Sequence, residues 1–180
     1  MYEGKRILAV VPARGGSKGI RLKNLRPVLG VPMVARVGDI VGEVDWIDRA
    51  VVSTDHDEIA RVAEESGMAA PFRRPQELSG DRIGDFEVLF HALQSMEAFD
   101  ACRYDIVVML QPTSPLRRVE HVRAAIAKLV GESWDAVWTV SETDSKGHPL
   151  KQLTVGEDGR MDYYDPEGSQ IVARQQLQPI

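Results

Sequence analysis

Glycines and basic residues alternate near the start of the chain, in the segment PARGGSKG at residues 12–19. Glycines allow backbone N–H groups to come close to phosphate oxygens, because no side chain stands in the way. Arg14 and Lys18 within the segment, and Lys23 shortly after it, add positive charge. These residue types at this spacing predict a site for a phosphate-bearing ligand.

The glycine spacing differs from that of two widespread nucleotide-binding loops. No Gly-Lys-Ser or Gly-Lys-Thr follows a GxxxxG frame, which disfavours a P-loop ATPase. The segment also lacks the GxGxxG fingerprint of dinucleotide-binding domains, which disfavours an NAD-dependent oxidoreductase. Taken alone, a plain glycine-rich turn is the remaining alternative.

Other side chains that could do chemistry show no recognisable arrangement. The four histidines have no metal-ligand spacing with one another or with the single cysteine, Cys102. No Ser-His-Asp order is present, and no side chain is an evident general base. We therefore expect any catalysis to depend on positioning and on neutralising charge.

The glycine-rich segment directly follows one of four short apolar runs that are rich in Val and Ile. These runs do not alternate with polar residues, which is typical of strands buried on both faces of a parallel sheet. They comprise residues 7–11, 50–52, 106–110 and 136–140. Ligands of such sheets bind outside the carboxyl ends of the strands, so the loops after these runs form the candidate site.

Apolar residues recur with helical spacing between the runs. One stripe consists of Phe86, Leu89, Phe90, Leu93 and Met96, and others lie within residues 34–41, 59–63 and 119–129. The alternation of strand and helix predicts an α/β fold in which helices flank a mainly parallel, twisted sheet. It extends to about residue 141 and predicts a core of residues 1–141.

The pattern changes in residues 142–180, which carry turn formers and no helical stripe. Residues 150–155 and 160–164 predict a β-hairpin across the turn at residues 156–159. This segment is interpreted either as an arm used for association or as a loosely held terminus.

Bulk properties narrow the class of protein. The net charge of −5 over 180 residues disfavours general nucleic-acid binding, which needs a basic face. No apolar run is long enough to span a bilayer, and the one near the N-terminus is too short for a signal peptide. One cysteine excludes an internal disulfide framework, so we expect a cytoplasmic protein without a membrane partner.

Six segments, in order along the chain, resemble the motifs of the CMP-sialic acid synthetase family. They are residues 11–25, 52–55, 73–75, 110–117, 148–151 and 174–177. The resemblance implies a nucleotidyltransferase-type fold in which residues 1–141 bind the nucleotide and residues 142–180 form a dimerisation arm. It also implies transfer of CMP from CTP to the anomeric hydroxyl of a nonulosonic, sialic-type sugar acid, with release of pyrophosphate.

Matched position by position, the resemblance implies a nucleotide site made of Arg14, Gly15, Gly16, Ser17, Lys23, Asn24, Arg74 and Asp85. Arg14 and Lys23 would hold the triphosphate and act in catalysis, because their charges suit a departing pyrophosphate. Arg74 would contact the edge of the cytosine. Asp85 lies where some members of the family use Ser for a base contact.

The same matching implies that the acceptor sugar is bound by Gln111 and Thr113, whose amide and hydroxyl groups both donate and accept hydrogen bonds. Lys151 and Arg174 would reach the active site of a partner subunit in a homodimer. Their charges suit the sugar carboxylate and the phosphates, and Arg174 is also a candidate catalytic residue.

The family resemblance further implies Mg²⁺ as cofactor, bound by two aspartates in a segment that follows the last matched motif. Residues 1–180 do not include that segment, so we expect either a fragment or a form that has lost it, and the metal ligands are unknown. Two alternatives therefore stay open for the function. One is a non-catalytic remnant that binds nucleotide or dimerises, and the other is a nucleotidyltransferase for a different sugar or nucleotide.

Overall fold

In a computed structural model that describes residues 1–140, 147–171 and 177, the chain divides into two units, Met1–Val137 and Trp138–Ile180. The described strands are β1 (Ile7–Pro12), β2 (Pro27–Val28), β3 (Val31–Pro32), β4 (Arg49–Ser53), β5 (Ile106–Met109), β6 (Leu153–Val155) and β7 (Met161–Tyr163). The described α-helices are α1 (Met33–Gly42), α2 (Asp57–Glu65), α3 (Asp85–Asp100) and α4 (Val119–Gly131).

A parallel sheet with the strand order β4-β1-β5 lies at the centre of the first unit. The central strand β1 is buried on both faces, and its residues from Ile7 to Val11 are fully inaccessible to solvent. Helices connect the strands, as parallel pairing requires. The α/β fold with a mainly parallel sheet, predicted from the apolar runs, is confirmed.

The two faces of the sheet pack against different helices. Side chains alternate between the faces along a strand, so Ile7, Ala9 and Val11 point to one side and Leu8 and Val10 to the other. The first side packs against α1, α2 and α4, and the second packs against α3. Each helix thus covers apolar strand residues while the strand ends stay free for a ligand.

The buried face of α3 only partly matches the predicted stripe, since Met96 is buried and Leu89 and Leu93 pack against the core. Val88, Ala92 and Met96 are buried, whereas Phe86 is 75% and Phe90 is 48% exposed. The two phenylalanines therefore do not join the core. Their rings instead stack on each other, with centroids 5.8 Å apart.

The prediction of a buried strand at residues 136–140 is wrong. These residues adopt no strand, and Trp138 and Val140 are largely exposed. Among the described residues β5 pairs only with β1, so its other edge has no neighbouring strand. An apolar run predicts a tendency to be buried, but a strand also needs a partner for its backbone hydrogen bonds.

The predicted hairpin in the second unit is confirmed. Strands β6 and β7 pair antiparallel, with Leu153 opposite Tyr163 and Val155 opposite Met161. Gly159 has a positive φ of 76° in the connecting turn, a conformation that favours glycine. The predicted boundary at residue 141 lies in the segment 141–146, outside the described residues.

None of the helices in the described parts of the chain combines the length and the apolar character needed to cross a membrane.

Candidate functional site

Three loops meet at the carboxyl edge of the sheet. The glycine-rich loop leaves β1 and runs beside the end of β4, where the N–H of Ala13 donates to the carbonyl of Ser53 at 2.9 Å. The loop after α2 returns to the same edge, because the N–H of Arg74 donates to the carbonyl of Thr54 at 2.7 Å. This edge is where the sequence places the candidate site.

Gly15 is held closely by the two residues that follow Thr54. Its N–H donates to Asp55 Oδ1 at 2.8 Å. A Cβ added to Gly15 would lie 2.8 Å from Cδ2 of His56, closer than side-chain atoms approach one another. The neighbouring Gly16 has nothing within 4 Å of such a Cβ. Glycine is therefore required by packing at position 15 and not at position 16.

Asp55 lies just before α2 and holds the glycine-rich loop rather than the helix. His56 occupies the N-cap position of α2 without a side-chain cap hydrogen bond, and its own N–H donates to Thr54 Oγ1. Nothing in the local sequence around Asp55 indicates this contact with a residue 40 positions away.

Asn24 fixes the backbone on the other side of the glycine-rich loop. Its side-chain Nδ2 donates to the carbonyl of Arg14 at 3.0 Å, and the residue is almost fully buried. Asn24 lies in a short 3₁₀-helix, Lys23–Leu25, so the half-buried Lys23 is its direct neighbour. The structure thus brings Asn24 to the loop that carries Arg14, and Asn24 orients that loop.

The guanidinium of Arg14 contacts an acidic residue that the sequence analysis missed. Its Nη1 lies 2.7 Å from Asp81 Oδ1 and 3.4 Å from the carbonyl oxygen of Ser79. Lys18 forms a second ion pair with the same carboxylate. Hydrogen bonds from Lys18 and from Arg14 hold the pKa of Asp81 below its usual range. In the sequence, the one indication of this contact is that an acidic residue, Asp81, lies in the segment that follows Arg74.

Arg74 is only 6% exposed and holds the end of β4. Its Nη2 donates to the carbonyl of Ser53 at 3.1 Å, while its Nε and the Ser53 hydroxyl are buried without partners among the described residues. Burial lowers the pKa of Arg74; the charge of Arg14 acts in the same direction and that of Asp55 opposes it. A buried guanidinium with an unused donor suits a ligand that presents hydrogen-bond acceptors.

Gln111 and Thr113 follow β5 on the other side of β1. The N–H of Leu110 donates to the carbonyl of Val10 at 3.0 Å, so this loop leaves the sheet at the same carboxyl edge. Arg117, which sequence reasoning did not single out, donates from Nη2 to the carbonyl of Gln111 at 2.9 Å. Burial lowers the pKa of Arg117. The half-buried Gln111 is thereby fixed through its backbone, and Thr113 is exposed.

Other candidate residues have different surroundings. Asp85 is the first residue of α3 and is exposed. Ser17 donates from its N–H to the carbonyl of Gly15 at 2.9 Å and so shapes the loop. Lys151 is exposed in the second unit, and Arg174 lies outside the described residues.

Within residues 1–140, 147–171 and 177, no three His, Cys, Asp or Glu side chains converge to hold a metal ion.

The carboxyl edge therefore carries cations and glycine N–H groups on one side of β1 and an amide with a hydroxyl on the other. Positive charge at a glycine-rich loop stabilises phosphate oxygens, and the polar pair suits a hydroxylated ligand. The arrangement can bind two ligands side by side and can stabilise negative charge that develops between them.

The chain matches known proteins over most of its length. A family model described as cytidylyltransferase matches residues 8–155. The CMP-N,N'-diacetyllegionaminic acid synthase of Legionella pneumophila is 35% identical over 155 residues, which cover 81% of this chain and 66% of that relative. The N-acylneuraminate cytidylyltransferase of Escherichia coli is 31% identical, over 82% of this chain and 34% of its own length.

A solved structure supports the fold. A CMP:2-keto-3-deoxy-manno-octonic acid synthetase, solved in complex with CTP, superposes with a TM-score of 0.60 over 72% of this chain and 49% of its own. At 22% identity this similarity concerns the fold alone. The chain spans less than two thirds of the length of each of these relatives.

Proposed function

Because this chain belongs to the cytidylyltransferase family, we propose that it transfers CMP from CTP to the anomeric hydroxyl of a nonulosonic, sialic-type sugar acid and releases pyrophosphate. One observation carries the proposal. Asn24 and Asp55 hold the loop of Arg14 at the carboxyl edge of the sheet, and the buried Arg74 lies at the same edge with an unused donor. A phosphate-binding loop beside a buried guanidinium suits a nucleoside triphosphate.

In this proposal the nucleotide lies on the β1–β4 side of the edge. Arg14 and Lys23 bind the triphosphate by charge, and the backbone of Gly15, Gly16 and Ser17 follows its oxygens. Arg74 contacts the carbonyl and ring acceptor of cytosine, for which a guanidinium fork has suitable donors. Asp85 supplies a further base contact.

The acceptor would lie on the β1–β5 side, where Gln111 and Thr113 contact its hydroxyl groups. One relative is named a CMP-N,N'-diacetyllegionaminic acid synthase and the other an N-acylneuraminate cytidylyltransferase, and we assign a sugar acid of this general class to the chain. Lys151 and Arg174 of a second subunit would bind its carboxylate. The protein would be a cytoplasmic homodimer without nucleic-acid or membrane partners. Its net charge of −5 supports the exclusion of nucleic acid, and its single cysteine supports the cytoplasmic location.

The proposed reaction is an in-line attack of the anomeric hydroxyl on the α-phosphorus of CTP. Holding both substrates at one edge supplies proximity and orientation. Negative charge moves onto the departing pyrophosphate, where Arg14 and Lys23 neutralise it. The Mg²⁺ that the family resemblance implies finds no ligand set among the described residues, so no step is assigned to it.

Two alternatives make different predictions. A non-catalytic remnant would bind CTP but release no pyrophosphate when the sugar acid is added. A nucleotidyltransferase for another nucleotide would be stabilised by GTP or UTP rather than by CTP, and one for another sugar would bind CTP but release pyrophosphate only with that sugar. Thermal shifts with each triphosphate, followed by an assay of pyrophosphate release with a panel of sugars and sugar acids, distinguish these functions.

The assignment of Lys23 gives a direct test. Lys23→Ala should weaken CTP binding by about 1–3 kcal/mol, because it removes a hydrogen bond to a charged group. The matched control is Lys5→Ala, at an exposed lysine before β1, which should leave binding unchanged. Isothermal titration with CTP measures both variants. A dissociation constant that Lys23→Ala does not alter would refute the triphosphate assignment.

A further inference from the structure

The carboxylate of Asp81 bridges two cations of the glycine-rich loop. Oδ1 lies 2.7 Å from Arg14 Nη1, and Oδ2 pairs with Lys18. The bridge joins the loop after β1 to a segment more than 60 residues later in the chain, between the 3₁₀-helix Gln76–Leu78 and α3. One carboxylate thus pairs with both cations.

The bridge is not part of the packed core. The three side chains are 31% (Arg14), 81% (Lys18) and 38% (Asp81) exposed, and ion pairs this accessible contribute little to folding stability. Because all three side chains are accessible to solvent, Asp81 can leave the cations without disturbing the buried residues of the sheet.

Asp81 and a polyphosphate would compete for the same charges. A di- or triphosphate presents several anionic oxygens, which suit a guanidinium and an ammonium better than one carboxylate does. A carboxylate and a phosphate held at the same cations would repel each other. Binding of the polyphosphate therefore requires Asp81 to withdraw.

We propose that Asp81 is an internal counter-ion that occupies the polyphosphate-binding cations Arg14 and Lys18 and thereby sets the affinity of the loop for pyrophosphate groups. The inference rests on the proposed function in taking Arg14 as a phosphate ligand. In that reaction Asp81 replaces pyrophosphate at the cations after CMP has been transferred. It therefore favours release of pyrophosphate and lowers the affinity of the loop for polyphosphates.

The test is the affinity of Asp81→Asn for inorganic pyrophosphate, measured by isothermal titration in EDTA and again with Mg²⁺. Asparagine keeps the shape of the side chain and removes its charge. We expect pyrophosphate to bind about three- to tenfold more tightly than to the original chain, the range expected when two partly exposed ion pairs no longer compete. Asp81→Glu should restore the original affinity.

A matched control is Asp57→Asn, which removes an exposed carboxylate paired with Arg73, outside the glycine-rich loop. It should leave pyrophosphate affinity within about twofold. Melting temperatures without ligand should be alike for the original chain and both variants. If Asp81 were a brace that only stabilises the glycine-rich loop, the opposite result is expected, because Asp81→Asn would then bind pyrophosphate more weakly.

Each other outcome also decides the question. Weaker binding by Asp81→Asn in both buffers means that Asp81 is a brace, and weaker binding only with Mg²⁺ means that it faces a metal ion; both overturn the proposal. Unchanged binding overturns it as well, and so does a failure of both chains to bind pyrophosphate. Tighter binding of pyrophosphate by a chain that does not bind CTP supports the role of Asp81 while refuting the proposed function.

Discussion

Arg74 combines a structural contact with an unused donor. Its Nη2 holds the carbonyl of Ser53 at the end of β4, and its Nε is buried without a partner among the described residues. A buried donor without an acceptor costs free energy, so such a group calls for a partner, which a ligand can supply. Arg73 next to it is exposed and pairs with Asp57.

These two arginines allow a matched test of base recognition. Arg74→Ala should reduce the difference in binding free energy between CTP and either UTP or GTP by about 1–3 kcal/mol. A guanidinium fork that contacts the edge of a base discriminates against the wrong base by this amount. Arg73→Ala should leave the preference unchanged. Competition titrations with the three nucleotides measure it. Equal loss of affinity for all three would mean that Arg74 binds phosphate or only holds β4.

The adjacent glycines at positions 15 and 16 give a second matched pair. Gly15→Ala should weaken CTP binding and lower stability by about 1–3 kcal/mol, the range for an overpacked site, because its Cβ meets the ring of His56. Gly16→Ala should leave the stability nearly unchanged, since its Cβ would meet no protein atom within 4 Å. Thermal unfolding and CTP titration measure both.

The double variant Gly15→Ala with His56→Gly checks the cause. Removing the imidazole removes the atoms that the new methyl group would overlap, so part of the lost CTP affinity should return. If the double variant binds CTP no better than Gly15→Ala alone, the loss comes from backbone conformation rather than from His56.

At the scale of elements, α3 decides how the second face of the sheet is covered. Val88, Ala92 and Met96 form its buried face against Leu8, Val10 and Val51. The spacing of Phe86 and Phe90 suits a helix equally well, but their bulk is accommodated in solvent rather than against the sheet. Periodicity therefore identified the helix, and the tertiary structure decided which of its apolar side chains are buried.

Truncation on each face tests this orientation. Met96→Ala should destabilise the protein by about 2–5 kcal/mol, because it removes a fully buried side chain and leaves a cavity. Phe86→Ala should cost no more than about 0.5 kcal/mol, since its ring is largely in solvent. Urea denaturation measures both free energies of unfolding. Equal losses would show that the phenylalanine face is buried in solution.

At the scale of the whole molecule, the hairpin of the second unit exposes a set of large apolar side chains, namely Leu153, Val155, Met161 and Tyr164. Burying such a side chain stabilises by roughly 1.5–3 kcal/mol relative to leaving it in water. A symmetric dimer is the commonest way to close a surface of this kind. The exposed hairpin is therefore the basis for proposing a homodimer.

Subunit mixing tests whether two chains share an active site. Lys23→Ala and Arg174→Ala should each be inactive alone, whereas each mixed dimer should regain one of its two sites. An equal mixture after exchange should then show about a quarter of the original activity, because about half of randomly paired twofold dimers are mixed. The readout is pyrophosphate release. Inactivity after verified exchange would refute the shared site, and sedimentation as a monomer would refute the dimer.

The sequence by itself determined the fold class and the family. Uninterrupted Val- and Ile-rich runs such as residues 7–11 require burial on both faces, and helical spacing between such runs leaves a layered α/β arrangement as the solution. The ordered motifs indicated the cytidylyltransferase family, and the family match over residues 8–155 confirms it. The position of the glycine-rich loop at the end of β1 also followed from local pattern.

Tertiary structure alone decided which side chains hold that loop. The contacts of Gly15 with Asp55 and of Arg14 with Asp81 join segments far apart in the chain, so no local pattern announces them. The exposed state of residues 136–140 was not indicated by their apolar pattern either, because that pattern does not specify which strand edge the segment would pair with. Local residue patterns determine which elements form, whereas the pairing of charges and strands depends on which distant segments the fold brings within a few ångströms of each other.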